Sequence, residues 1–389
     1  MQNIKSILFL GGGELGMPAI DWAKQLGFHV IVSDKKADAP GKAKADLTLS
    51  FDATNVRGIT TWALQNNVKY NIRLCHCGSD FGLLTAAIVS DALGLLHSPI
   101  EAVLGSLDKA LMKQRWLDKI NCPRSAVIQK PDEARKFAVN FGWPIIIKPT
   151  AASGSQGVGL AKESFEIEAA FNQASNYARD GKVIVEQYIR GTHHDVNGIF
   201  WQGKFFPAGI GDRFFTQLPY FVPHHGYFPS QLALAVWQTL YNLLEQGARA
   251  IGITHGPVKA DCVIRDNECY VYEITNRFHG DIFTVRTMGF LGEFNPLRQF
   301  FKWVSADMSN AEYKIYSAEK VGAWKTIFNP AELLGLKSAA VEGVFVKNNE
   351  QKNSIVKNND EIAGLAWAYG ASREQTDKIL NIDKNYETI

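Results

Sequence analysis

The strongest constraint on the fold is an apolar run, Ser6–Leu10, that stops at Gly11-Gly12-Gly13. A helical stretch, Pro18–Leu26, follows, then Gly27, then a second apolar run, Val30–Val32, ending at Asp34. Strand, glycine turn, helix and strand in that order point to a parallel sheet with helices on its faces. The alternation continues to residue 98, and the helix Leu83–Leu93 stops at Gly94 as at a C-cap. A chain of 389 residues has room for two or three such units.

Composition narrows the class. Lys plus Arg is 41 and Asp plus Glu 39, a net charge of +2. That balance excludes a polybasic nucleic-acid binder and an acidic tail. Hydrophobic residues at 46% against 21% charged exclude a disordered chain. Five scattered cysteines make no disulfide framework. The first apolar run is too short for an export signal, and no run is long enough to span a membrane. A reducing cytoplasm is therefore expected, with no membrane or nucleic-acid partner.

Residues 99–145 read as helical. Ser106-Leu107-Asp108 caps a helix over Lys109–Ile120, ended by Pro123; Pro131-Asp132-Glu133 opens another, with Phe137, Ala138 and Phe141 on one face and Gly142 closing it. The strand Ile145–Lys148, a glycine-rich loop, a helix from Glu163 and the strand Val183–Glu186 follow. Ser230–Gly247 is an amphipathic helix striped by Ala233, Trp237, Leu240 and Leu244. Val258–Ile264 and Glu268–Ile274 form strands joined by Arg265-Asp266-Asn267. The last seventy or so residues alternate short strands with polar turns such as Lys347-Asn348-Asn349 and finish in a helix after Ser372.

Three constellations carry chemistry. Gly11-x-Gly13-x-x-Gly16 after a strand, with Asp34 eighteen residues beyond, has the dinucleotide spacing; a plain strand-to-helix turn gives the same pattern. Lys148 precedes Ser153-Gly154-Ser155-Gln156-Gly157-Val158-Gly159. A lysine at a strand end offers a point charge to phosphate, and a Gly/Ser loop offers backbone N–H donors; alone, a flexible hairpin reads the same. Lys109, upstream, strengthens the phosphate reading. Asp261 and Glu273 lie near the ends of neighbouring strands, with Asn276 and Arg277 behind and Lys259 on the face of Asp261. Facing carboxylates repel unless a cation lies between them, and hard oxygen ligands suit Mg²⁺; a charged surface hairpin is the plainer alternative. Cys75-His76-Cys77 reads as a buried strand, because no second ligand pair is near. The phenylalanines and tyrosines over 205–221 lack interleaved bases and read as core or pocket wall.

The order of these pieces resembles the ATP-grasp superfamily, specifically its carboxylate–amine ligases related to carbamoyl-phosphate synthetase, biotin carboxylase and the purine-pathway ligases. The resemblance rests on Gly78-Ser79-Asp80, Leu107-Asp108-Lys109, Pro144–Pro149, Ser153–Gly159, Val185-Glu186-Gln187-Tyr188-Ile189-x-Gly191, His255–Asp261 and Glu273-Ile274-Thr275-Asn276-Arg277. Asn359–Glu361 and Ser372–Glu374 also resemble the family's C-terminal lobe. It implies an α/β chain with α+β lobes: a Rossmann-like N-terminal domain over 1–98, a two-lobed ATP-grasp domain over 99–315 with a mobile lobe at about 123–188, and a small mixed lobe over 316–389.

The resemblance also implies roles. Lys109 and Lys148 would hold the ATP phosphates under the loop Ser153, Gly154, Ser155, Gln156 and Gly157. Glu186 and the backbone of Gln187, Tyr188 and Ile189 would read the adenine. Asp261 and Glu273 would hold one or two Mg²⁺, with Mn²⁺ an alternative, and Arg277 would steady an acyl-phosphate. The glycine turn at Gly13 and Glu14 would help bind the carboxylate substrate, and Arg213, His225 and Arg286 are anion or substrate contacts. His193 stands where the family usually has a ribose-binding Glu, with Asp195 nearby as a substitute. Thr275 takes the position of a metal-binding Asn, so that Asn276 would have to swing in. The activity implied is ATP-dependent C–N ligation of a small carboxylate and an amine by an enzyme that, like similar ligases, works as a homodimer. A nicotinamide-dependent oxidoreductase resting on Gly11–Gly16, and a nucleotide-binding regulator without turnover, are the other classes the residues allow.

Overall fold

The computed structural model describes residues 4–178, 180–216, 220–306, 308, 319–336, 340–347 and 356–383. The turn expected at Lys347-Asn348-Asn349 and the boundary expected at 315–316 extend outside the described residues.

β1 (Ser6–Leu10), α1 (Met17–Gln25), β2 (His29–Ser33), β3 (Leu47–Leu49), α2 (Val56–Tyr70), β4 (Ile72–His76) and α3 (Asp80–Ala92) form the N-terminal unit. Its strands are parallel, in the order β3-β2-β1-β4. Ile7 and Phe9 face one core with Ile20 and Ala23 of α1. Leu8 and Leu10 face another with Ile59 of α2 and Leu83 of α3. Helices on both faces leave no wet side, so β1 is an unbroken apolar run rather than an alternating one. α4 (Ile100–Leu107) and α5 (Lys109–Trp116) follow. The Asp108 carboxylate caps α5 by accepting from the N–H groups of Ala110 and Leu111 at 2.8 and 3.0 Å, and the helix ends at Trp116 rather than Ile120.

β5 (Ser125–Ile128), α6 (Pro131–Phe141), β6 (Ile145–Pro149), β7 (Gly159–Ala161), α7 (Ile167–Tyr177) and β8 (Val183–Gln187) make a small lobe. Its antiparallel sheet runs β5-β8-β6-β7, with both helices packed on Ile145, Ile147, Val183 and Val185. β5 lies in the stretch read as helical. It is a four-residue edge strand with only Ile128 buried, too short to carry a period.

β9 (Thr192–Trp201), β10 (Lys204–Phe215), β11 (Pro223–Phe228), α8 (Leu234–Ile251), β12 (Gly256–Arg265), β13 (Glu268–Thr275), α9 (Pro296–Ala306), β14 (Val321–Ile327), β15 (Gly343–Val346), β16 (Gly364–Gly370) and α10 (Arg373–Leu380) complete the chain. Their strands join one antiparallel sheet, β13-β12-β9-β10-β11-β14-β16-β15. The β11–β14 pairing carries the C-terminal strands onto the same sheet. β12 and β13 turn at Asp266-Asn267, whose φ angles of 51° and 65° are those of a two-residue hairpin turn matched to strand twist. Phe300, Phe301 and Trp303 of α9 share a core with Phe9 of the N-terminal sheet and Trp201 and Phe206 of the central one. The N-terminal unit is thereby fixed against the central sheet. No helix among the described residues is long and apolar enough to cross a membrane.

Candidate functional site

A cavity of about 560 Å³ opens where the N-terminal unit, the small lobe, the central sheet and the C-terminal strands meet. Five acids line it, and each has a basic side chain at hand. Arg277 holds Asp80 through two parallel bonds of 2.6 and 2.7 Å. Lys148 donates to Glu186 at 2.7 Å. Arg213 lies 2.5 Å from Asp195, Lys259 2.5 Å from Asp261, and Lys109 3.4 Å from Glu273. Charges this deep stand only when paired, because desolvation of a lone one is prohibitive. Burial pushes the Asp80 carboxyl up, but the charge and hydrogen bonds of Arg277 outweigh it and hold the group down at about 2. Burial also opposes ionisation of Glu273, and Lys109 and Lys259 more than offset it.

Strand pleating explains most of the placement. Asp261 sits opposite Glu273 in the β12–β13 register, and Lys259 lies two residues before Asp261 on the same face. The register then slips, so that Cys262 pairs with Val271 and Tyr272 is an extra residue. This bulge lets Tyr272 and Glu273, neighbours in sequence, both face the cavity. Lys109 begins α5, and its ammonium also donates to the Ala152 carbonyl at 2.8 Å, tying that helix to the glycine-rich loop. In the loop, Gly154, Ser155 and Gly157 have φ of 67°, 62° and 70°. Ser155 donates to the Phe221 carbonyl at 2.6 Å, Gln156 to Asp360 at 2.5 Å, and Asn359 N–H to the Gly154 carbonyl at 3.1 Å. The loop is closed over the cavity and fastened to the C-terminal strands' side.

The cavity gathers Lys109, Lys148, Ser153, Gly154, Ser155, Gln156, Glu186, Gln187, Tyr188, Ile189, His193, Arg213, Asp261, Glu273 and Arg277. Gly157 supports the loop from outside the lining; a Cβ there would meet Pro149 and Tyr177 at 3.1 Å. Glu186, Gln187, Tyr188 and Ile189, the expected adenine contacts, all line the cavity. The Glu186 carboxylate is held by Lys148 and, at 3.6 Å, by Lys113. The N–H groups of Gln187 and Tyr188 donate within the small lobe, to the Arg124 and Pro144 carbonyls.

Five expected contacts lie elsewhere. The Asn276 amide donates to the carbonyls of His255 and Pro257 at 3.2 and 2.7 Å, so it does not swing in as a metal ligand. His225 stacks on Phe214 at 4.5 Å and bonds His224; strand alternation puts it on the face opposite Arg213. Arg286 clasps the Glu14 and Leu15 carbonyls at 2.6 and 3.0 Å, and neither Gly13 nor Glu14 lines the cavity. At the glycine turn, the Asp34 carboxylate accepts from the Gly12 and Lys36 N–H groups, both at 2.9 Å, and Gly41 packs on Gly12. Asp34 is thus engaged in closing its own turn.

The structure adds partners that the sequence left without roles. His279 is anchored by Asn197, whose Oδ1 accepts from the His279 N–H and from Nδ1, each at 3.0 Å. Its Nε2 then lies 2.9 Å from Asp261 and 3.3 Å from Asp195, among oxygens that Arg213 also touches. Lys113 and Asp80 belong to the same charge network. The signal for Lys259 was its two-residue spacing from Asp261; nothing in sequence distance brings Asp80 to Arg277.

Residues 141–285 match the family model described as ATP-grasp domain. The formate-dependent phosphoribosylglycinamide formyltransferase of Sulfurisphaera tokodaii is 26% identical over 200 residues, covering 49% of this chain and 48% of that protein. The enzyme of the same name from Wolinella succinogenes is 24% identical over 289 residues, 71% of each chain. The chain spans about half the length of the first curated relatives it matches. Among solved structures, L-amino acid ligase from Bacillus licheniformis has a TM-score of 0.77 at 16% identity, covering 98% of this chain and 97% of that one. The centre of the chain is thus similar to ATP-grasp domains, and nearly its whole length shares the fold of an L-amino acid ligase.

Proposed function

We propose that the protein is an ATP-dependent C–N ligase that activates a small carboxylate as an acyl-phosphate and joins it to an amine. One observation carries the reading: Lys109, Lys148, Lys259, Arg213 and Arg277 converge on a single cavity under a closed glycine-rich loop, opposite two facing carboxylates. Phosphoryl transfer asks mainly for positioning and charge neutralisation, and that is what this set offers. The names of the relatives and structural neighbours, among them a formate-dependent formyltransferase and an amino acid ligase, agree with it.

In this reading the triphosphate takes Lys109 and Lys148 from their carboxylate partners. Displacing Lys109 frees a Glu273 oxygen. Asp261 and Glu273 offer the hard oxygen ligands that suit a divalent cation, and the Glu273 oxygen released by Lys109 is the one open to it. Bound there, magnesium would neutralise charge on the transferring phosphoryl group. The substrate carboxylate oxygen attacks the γ-phosphorus, the β–γ bridging P–O bond breaks, and ADP leaves. The amine nitrogen then attacks the acyl carbon, phosphate departs and the amine loses a proton. Arg277, set by its fork to Asp80, faces the acyl-phosphate oxygens. The loop's fastening by Phe221, Asn359 and Asp360 keeps water from the intermediate. We assign the working units as 1–98, 99–315 with a moving lobe at about 123–188, and 316–389, in a cytoplasmic homodimer.

The test is phosphate release with Mg²⁺-ATP and pooled acids and amines, with mass spectrometry of the condensed product. Glu273→Ala should abolish release while circular dichroism stays native. Unchanged release would remove the metal assignment, and stabilisation by ADP with no turnover for any pair would favour a regulator.

A further inference from the structure

We infer that Lys259 permanently occupies the inner cation position between Asp261 and Glu273, so that the nucleotide complex takes up one divalent ion rather than two. This deepens the ligase reading and rests on it.

The two acids face each other in register, and the Lys259 ammonium stands between them, 2.5 Å from Asp261 Oδ2 and 3.4 Å from Glu273 Oε1. An ammonium touching oxygens of both acids is where a bridging ion would have to lie. The remaining Asp261 oxygen is already shared by His279 at 2.9 Å and Arg213 at 3.3 Å. Both Asp261 oxygens are therefore already engaged by protein groups. Lys259 is held more firmly than Lys109, because it touches both acids at once and its side chain is 5% exposed. A divalent ion set on the same oxygens would lie within a few ångströms of the ammonium, where like charges in a poorly screened interior repel strongly.

The outer position is different. Glu273 is 19% exposed, and among the described residues its Oε2 is held by Lys109 alone, at 3.4 Å, a lysine that also reaches the loop carbonyl of Ala152. Phosphate oxygens can draw Lys109 away and leave Oε2 to one ion. Thr275, opposite Lys259 in the register, brings no further charge; its buried hydroxyl has no hydrogen-bond partner among the described residues.

The experiment is Mn²⁺ counted by electron paramagnetic resonance in the full chain saturated with the β,γ-imido analogue of ATP. One tightly held Mn²⁺ per bound nucleotide is expected, rising to two in Lys259→Met. Two ions in the native protein, or a single ion in a folded Lys259→Met, overturns the inference and leaves the ligase reading standing. Failure of the native chain to bind the analogue overturns both. The native count decides the matter even if Lys259→Met does not fold.

Discussion

Arg277 and Asp80 form a buried pair whose members lie 197 positions apart in the chain. Removing one partner of such a pair strands the other charge, at a cost of about 3–5 kcal/mol. Arg277→Ala should destabilise the protein by that order, whereas Arg277→Lys, which keeps charge but loses the two-pronged contact, should fold and lose most turnover; chemical denaturation beside steady-state kinetics separates the two. Asp281 is the counter-case. Burial pushes its carboxyl up to about 6 against the pull of Arg277 and Arg286. A carboxyl raised in the folded state binds its proton more tightly than in the unfolded chain. Stability therefore falls as pH rises from about 4 through about 6. Asp281→Asn should remove that fall and be the more stable form at pH 7 by roughly 1–3 kcal/mol. Parallel melting curves at pH 4 and pH 7 in both proteins check the sign.

The glycine-rich loop between β6 and β7 is the element on which coupling depends. Among the described residues its closed form rests on contacts to Phe221, Asn359 and Asp360, on the Lys109–Ala152 bond, and on left-handed backbone at Gly154, Ser155 and Gly157. Asp360→Ala deletes one fastening on an exposed side chain and frees Lys347 of its carboxylate at the cavity rim, while the five acid–base pairs inside stay in place. Amide exchange over 153–158 should then quicken several-fold, and more ATP should be hydrolysed per product formed. Unaltered exchange would mean that the Gln156–Asp360 bond does not hold the loop. The β12–β13 hairpin carries the other element-scale lesson. Its bulge at Tyr272 turns two consecutive side chains to one face, so Glu273 reaches the cavity by a local break of alternation.

Across the molecule, α9 is the wedge that holds the N-terminal sheet to the central one. Phe301 is fully buried and meets Phe9 and His76 edge to face at 5.8 and 5.3 Å. Phe301→Ala should cost about 3–5 kcal/mol as a cavity in a close-packed core. It should also lower activity without touching the cavity, because the same packing sets Asp80 against Arg277; calorimetry and kinetics on one preparation test both. Burial lowers His76 and His255 to about 4 and His225 to about 3. Each is neutral when folded and charges when unfolded. Stability should thus drop as pH falls from about 6.5 toward 4, seen as an acid shift of the melting temperature.

The sequence by itself determined the pieces whose cause is local. Ser6–Leu10 stops where glycines begin, Asp108 caps α5, Gly142 closes α6, and Asp266-Asn267 turns a hairpin, all through nearest-neighbour backbone preferences. The resemblance carried by the ordered motifs implied one site for Lys109, Lys148, Asp261 and Glu273, and the four do line one cavity. The aromatic strands β9–β11 were illegible, since burial on both faces erases the alternation that marks a strand. So were the positions of Asn276, His225 and Arg286. Each carries a suitable functional group, and only pleat direction and long-range packing decide whether it faces the cavity or a neighbouring carbonyl. Tertiary structure alone decided the pairing of Arg277 with Asp80 and the reach of Lys259 to Glu273 as well as to its strand neighbour Asp261. A buried charge takes its partner from whatever the fold brings within about 3 Å, and sequence distance says nothing about that.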